Sequence, residues 1–143
     1  MGRTPHTPRV LIADSDPHLR QILYSALLAV DVFSDCVATV PDALEKLRGE
    51  AYGVVVVDVA LPGGNPEEIV SAIAAIGRAR PVVLVLASNP ALARSLDVDV
   101  VQIVLRKPVA LRQTVDVIRS CVQSAALTVA EREGDGDSDH ATS

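Results

Sequence analysis

Short apolar runs alternate along this chain with segments whose apolar positions recur every three or four residues. The runs are Arg9–Ala13, Phe33–Ala38, Val54–Val57, Val82–Leu86 and Val100–Leu105. Runs this short and this rich in Val and Ile predict strands, and those without polar interruption predict strands covered on both faces. The first, third and fourth are of that kind; the second is more broken. Between them lie helical stripes. Asp16-Pro17 is a start signal, followed by Leu19, Ile22, Leu23, Ala26, Leu27 and Val30 as a buried stripe. Pro41 opens a helix carrying Ala43, Leu44 and Leu47, closed by Gly49. Leu61-Pro62-Gly63-Gly64-Asn65-Pro66 is a loop by composition, and Glu67 to Ile76 a helix with Ile69, Ile73 and Ile76 inward. Asn89-Pro90 begins a short helix ending near Leu96, and the last helix turns Leu111, Val115, Ile118 and Val122 inward. The alternation predicts an α/β fold, doubly wound, with helices on both faces of a five-stranded parallel sheet in order 2-1-3-4-5 and right-handed crossovers.

Composition narrows the picture. With 143 residues, 49% of them hydrophobic, the chain has material for one domain and a normal core. We expect a disordered N-terminal arm over 1–8, a single domain over 9–130, and a disordered acidic tail over 131–143, where Glu and Asp recur without apolar anchors. No run is long enough to span a bilayer and the start lacks a signal-peptide segment, so a cytoplasmic protein is expected, without a membrane partner. The net charge of −5, the absence of a basic cluster, and only Tyr24, Phe33 and Tyr52 as aromatics argue against nucleic-acid binding. Cys36 and Cys121 lack metal-ligand spacing and read as small buried hydrophobes in a reducing compartment.

The chemistry gathers just past the strands. Asp14 and Asp16 follow the first, Asp58 the third, and Lys107-Pro108 the fifth. In an open parallel sheet the carboxyl ends share one edge, so these residues meet there. Carboxylates with a lysine suit a divalent cation and a phosphoryl group. An acid after four valines is expensive to hold there without a role, whereas Asp16 reads better as a helix cap. His6, His18 and His140 read as surface residues.

The chain resembles a response-regulator receiver domain, from Arg9 to about Ala126. The resemblance rests on Val10-Leu11-Ile12-Ala13-Asp14-Ser15-Asp16-Pro17, on Val57-Asp58-Val59-Ala60-Leu61-Pro62-Gly63, and on Lys107-Pro108 in that order. It implies a two-component signalling protein, not an enzyme, in which Asp58 accepts a phosphoryl group from a histidine kinase or phosphotransfer protein in a phosphorelay. It also implies Mg²⁺, weakly bound, at Asp14, Asp58 and the backbone carbonyl of Ala60. Lys107 pairs with the phosphoryl group, and the Lys107–Pro108 bond is cis. Signalling then runs through a downstream protein or a second copy of the chain.

Three departures from the family pattern stand out. Ser15 occupies the place of a second metal-binding acid and lowers the expected metal affinity. The hydroxyl expected at the end of the fourth strand falls on an apolar residue when counted from Pro81, and on Ser88 when counted from Asp58. Val104 stands where an aromatic switch residue is expected, after a shortened segment from Asn89. A degenerate receiver that acts only by binding is therefore the second reading. A haloacid-dehalogenase-like phosphatase using Asp14 and Asp16 is a more distant third, because Pro17-His18 follow the acids and Asp97 and Asp99 precede a strand instead of closing one. A flavin-binding flavodoxin is the least favoured, for want of a phosphate-binding loop after the first strand.

Overall fold

Five parallel strands form the sheet, in the order expected: β2 (Ser34–Val37), β1 (Val10–Ala13), β3 (Val54–Asp58), β4 (Val82–Ala87) and β5 (Val101–Arg106). Every pair is parallel. This computed structural model describes residues 8–142, with side chains from 8 to 126. The expected arm over 1–8 lies outside the described residues except for Pro8, and of the expected tail over 131–143 only the backbone to Thr142 is described, as the end of the last helix. No helix of the described residues is long and apolar enough to cross a membrane.

Helices α1 (Pro17–Leu28) and α4 (Leu111–Thr142) lie on one face, α2 (Val40–Gly49) and α3 (Pro66–Ile76) on the other. Alternation in the strands sorts the core accordingly. Val10, Ile12, Val54, Val56, Leu84 and Leu86 pack with Leu23, Leu27 and Ile118; Leu11, Val55, Val57, Val83 and Val85 pack with Ala43, Ile69 and Ile73. Side-chain caps start the helices: Asp16 accepts from His18 N–H, Thr39 from Asp42 N–H and Asn65 from Glu67 N–H. At the β2 edge the buried Tyr52 hydroxyl sits 2.7 Å from Asp35 and 3.1 Å from Glu50. Both cysteines are free thiols; Cys36 is exposed on the edge strand instead of buried as expected, Cys121 is half-buried, and desolvation raises the pKa of each.

Three inward assignments fail. Ile22, Ile76 and Leu111 are exposed, because each lies at the margin of a stripe whose centre, such as Leu23 with Leu27 or Ile69 with Ile73, already fills the contact.

The largest departure lies between β4 and β5. Instead of a helix reaching Leu96 there is a single 3₁₀ turn, Pro90–Ala93, capped by Asn89. Ala93, Leu96 and Val100 are buried in the α2–α3 layer. The turn does not cover the outer end of β5, so Val104 is 41% exposed, on the face opposite Ile103 and Leu105. Burial therefore predicts opposite responses to substitution. Val104→Thr should change stability by less than about 0.5 kcal/mol. Leu84→Ala, in the central sheet, should cost about 3 kcal/mol in urea unfolding.

Candidate functional site

Asp14 follows β1 and is fully buried, and Asp58 ends β3 at 5% exposure. Both lie on the α1–α4 face, two residues past Ile12 and Val56 in their strands. Each carboxylate anchors its own turn. Asp14 Oδ1 accepts from Asp16 N–H at 2.9 Å, and Asp58 Oδ1 from Ala60 N–H at 2.8 Å. The second oxygens converge on Lys107, whose Nζ lies 2.7 Å from Asp14 Oδ2 and 2.6 Å from Asp58 Oδ2. Lys107 reaches them because β5 delivers it to the same edge. Its N–H donates to Ala87 O at 2.9 Å, and the Lys107–Pro108 peptide is cis as expected.

A buried carboxylate without a partner costs several kcal/mol, so the double pairing is what makes this arrangement tenable. Burial alone would lower the Lys107 pKa, but its close contacts with Asp14 and Asp58, and their charge, outweigh it and leave the pKa raised. Arg20 brings further positive charge: its guanidinium donates to the Asp14 carbonyl at 2.7 Å. Sequence reasoning did not identify Arg20, although it lies one turn beyond the Asp16 cap. Asp14 Oδ2, despite its ion pair, has no well-directed hydrogen bond. Two buried carboxylates with such an oxygen fit a small hard cation.

The open question at the end of β4 resolves in geometry. Leu86 is the register partner of Asp58 and is buried on the same face. Ser88 lies two residues further out, exposed, in a cleft of about 530 Å³ shared with Leu19, Lys107, Pro108 and Val109. Counting from Pro81 was thus the sound register for the residue beside Asp58. Ser15 is exposed, and the Asp16 carboxylate is engaged at the start of α1.

The family model described as response regulator receiver domain matches residues 10–119. No curated protein matches in sequence. Among solved structures, a signal receiver domain of a Luxo repressor protein from Vibrio parahaemolyticus is 18% identical at TM-score 0.76, covering 85% of this chain and 95% of that one. The receiver domain of a sensor histidine kinase from Pseudomonas aeruginosa, which has a magnesium ion coordinated in its active-site cleft, is 16% identical at TM-score 0.71, over 82% and 99%. A response regulator from Thermotoga maritima, in complex with Mg²⁺ and BeF, is 20% identical at TM-score 0.68, over 80% and 98%.

Removing the lysine charge strands two buried acids. Lys107→Met should cost about 3 kcal/mol in metal-free denaturant unfolding. A lysine whose folded pKa is raised contributes fully below its ordinary 10.5 and loses that contribution as pH climbs through the higher folded value. The difference between wild type and Lys107→Met should accordingly hold constant from neutral pH to about 10 and shrink above it.

Proposed function

The chain belongs to the response-regulator receiver family, and from that premise we propose that Asp58 is a phosphoacceptor supplied by a histidine kinase or phosphotransfer protein. The observation that carries this reading is Lys107 meeting Asp14 and Asp58 together at one sheet edge. An Asp58 oxygen attacks the phosphorus of a phosphohistidine. A P–O bond forms, the P–N bond breaks, and the leaving imidazole nitrogen keeps the electron pair and gains a proton. Asp58 Oδ1 is held by Ala60 N–H, which fixes the carboxylate's orientation before the reaction. Lys107 then stays with the acyl phosphate as a point charge.

Asp14, Asp58 and the Ala60 carbonyl would hold Mg²⁺, which when bound neutralises the incoming phosphoryl oxygens. Ser15 contributes no carboxylate to that set, so binding is weak. Signalling follows through protein contacts, with a downstream partner or a second copy, in the cytoplasm.

The binding-only reading has one specific observation in its favour. Leu86 offers no hydroxyl beside Asp58, and Ser88 stands a full pleat further out. The phosphorylated state therefore lacks one hydrogen bond, and the conformational response should be small. The phosphatase reading has no such observation in its favour, and Asp16 Oδ1 accepts from His18 N–H at the start of α1.

Incubation with acetyl phosphate and Mg²⁺, read by intact mass, tests the proposal. Wild type should gain one phosphoryl group and Asp58→Asn none. Unmodified wild type under saturating donor would favour the binding-only module. Separately, Ser15→Asp should tighten Mg²⁺ binding in a titration; unchanged affinity would remove Ser15 from the ligand position.

A further inference from the structure

The sheet has two open edges, and they differ. β5 is joined to β4 with a shift of register, whereas β2 runs beside β1 unbroken and has no Pro in Ser34–Val37 to blunt it. Val10 N–H donates to Phe33 O and Asp14 N–H to Val37 O, so alternate residues from Phe33 turn their backbone groups toward β1. By the same alternation Ser34, Cys36 and Ala38 turn theirs outward. Cys36, Val37 and Ala38 line a cleft of about 630 Å³ along this edge. One wall is α2, which presents Asp42, Glu45, Lys46 and Gly49 as one stripe at spacings of three and four. The other is α1. Its Arg20 carbonyl lies 4.0 Å from Cys36 Sγ, and Tyr24 and Leu28 continue that line one and two turns on. All the Phe and Tyr side chains of the chain gather around this strand. Tyr24 and Phe33 are exposed, and the Tyr52 hydroxyl meets Asp35. Exposed aromatics beside an unpaired strand mark a surface for another protein.

We propose that the occupant is a second copy of the chain, with the two β2 edges paired antiparallel about a two-fold axis at Cys36. The choice follows from charge. At the middle of the α2 stripe an anion, Glu45, stands next to a cation, Lys46. A two-fold axis through the cleft reverses the stripe against its own copy, so Glu45 of one copy meets Lys46 of the other, twice over. A partner with one sign of charge is attracted by one of these residues and repelled by the other. Strand register agrees. Centred on Cys36, the outward groups of Ser34, Cys36 and Ala38 meet those of Ala38, Cys36 and Ser34, and Asp35 falls opposite Val37. Centring on Asp35 instead would set two like charges opposite one another. The proposal rests on the reading that signalling runs through protein contacts, and names their partner and surface. It does not need Asp58 to accept a phosphoryl group.

The test is sedimentation equilibrium of the full chain, without phosphoryl donor or metal. Wild type should pass from monomer to dimer and no further, with a Kd on the order of 10 µM, as suits a small interface. Glu45→Lys and Lys46→Glu should each weaken the dimer about tenfold, because each sets like charges together at two symmetric contacts. The double variant should return to within about threefold of wild type, because the swap restores both contacts. Overall charge cannot mimic this pattern. Glu45→Lys removes one negative charge and adds one positive, taking −5 to −3, which eases general repulsion, and the double variant keeps −5. A short bis-maleimide should link Cys36 to Cys36 in Cys121→Ser protein and link nothing in Cys36→Ser protein. Thermal unfolding checks that each variant is folded; where one single variant is not, the other and the cross-link decide. Monomer at every concentration up to about 1 mM overturns the proposal. So does a dimer that Glu45→Lys tightens, that the double variant fails to restore, or that gives no Cys36 cross-link, since another surface then holds it. Growth beyond a dimer overturns it too, because a two-fold contact closes. Phosphoacceptance is read separately by mass, so either result can fail alone.

Discussion

Asp14 and Asp58 are held below the surface on one face of a sheet, where isolated negative charge costs several kcal/mol. Everything at the carboxyl edge follows from how that charge is compensated. Lys107 touches both acids, the turns after β1 and β3 each donate a backbone N–H, and Arg20 reaches the Asp14 carbonyl from the first turns of α1. The anchored carboxylates fix the turns, and the turns fix where α1 and the loop after β3 begin. One set of contacts therefore holds both turns and gathers the two acids and the lysine at one edge.

The parallel sheet brings these groups together without close sequence neighbours. β1 and β3 run side by side in register, with Ala13 beside Val57, so Asp14 and Asp58 emerge at the same level. Lys107 arrives from beyond β4, at the far edge of the sheet, through a backbone bond to Ala87. The opposite face of β5 is served less well. With only a 3₁₀ turn between β4 and β5, the sheet is open at Val104, and Leu92 and Val98 are exposed nearby. Leu86 beside Asp58 carries no hydroxyl, and Val104 on β5 carries no aromatic ring.

Much of this was legible in the sequence. Continuous valine and isoleucine runs marked the covered strands, the more broken run marked the β2 edge, and charged residues just past the strands marked the edge where Asp14, Asp58 and Lys107 meet. What escaped has physical causes. Helical spacing gives a stripe's period but not its width, so Ile22, Ile76 and Leu111 were placed inward although neighbouring positions already filled the contact. The Thr39 cap was hidden behind the stronger signal of Pro41. Asn89-Pro90 announces a helix start equally well for a 3₁₀ turn, and only the packing of Ala93 and Leu96 shows how soon it ends. Strand register at Asp58 depends on pairing with β4, which single-strand patterns do not encode, so Leu86 and Ser88 could not be separated beforehand. That Lys107 would bridge both acids also depended on tertiary placement.

The central claim is that one lysine is energetically coupled to two acids from different strands. Double-mutant cycles on stability, pairing Lys107→Met with Asp14→Asn and with Asp58→Asn in metal-free buffer, measure this most directly. The account predicts a coupling of at least about 1 kcal/mol in each cycle, as expected for contacting charges in one network. Coupling to Asp58 alone, with the Asp14 cycle additive to within about 0.3 kcal/mol, would contradict it.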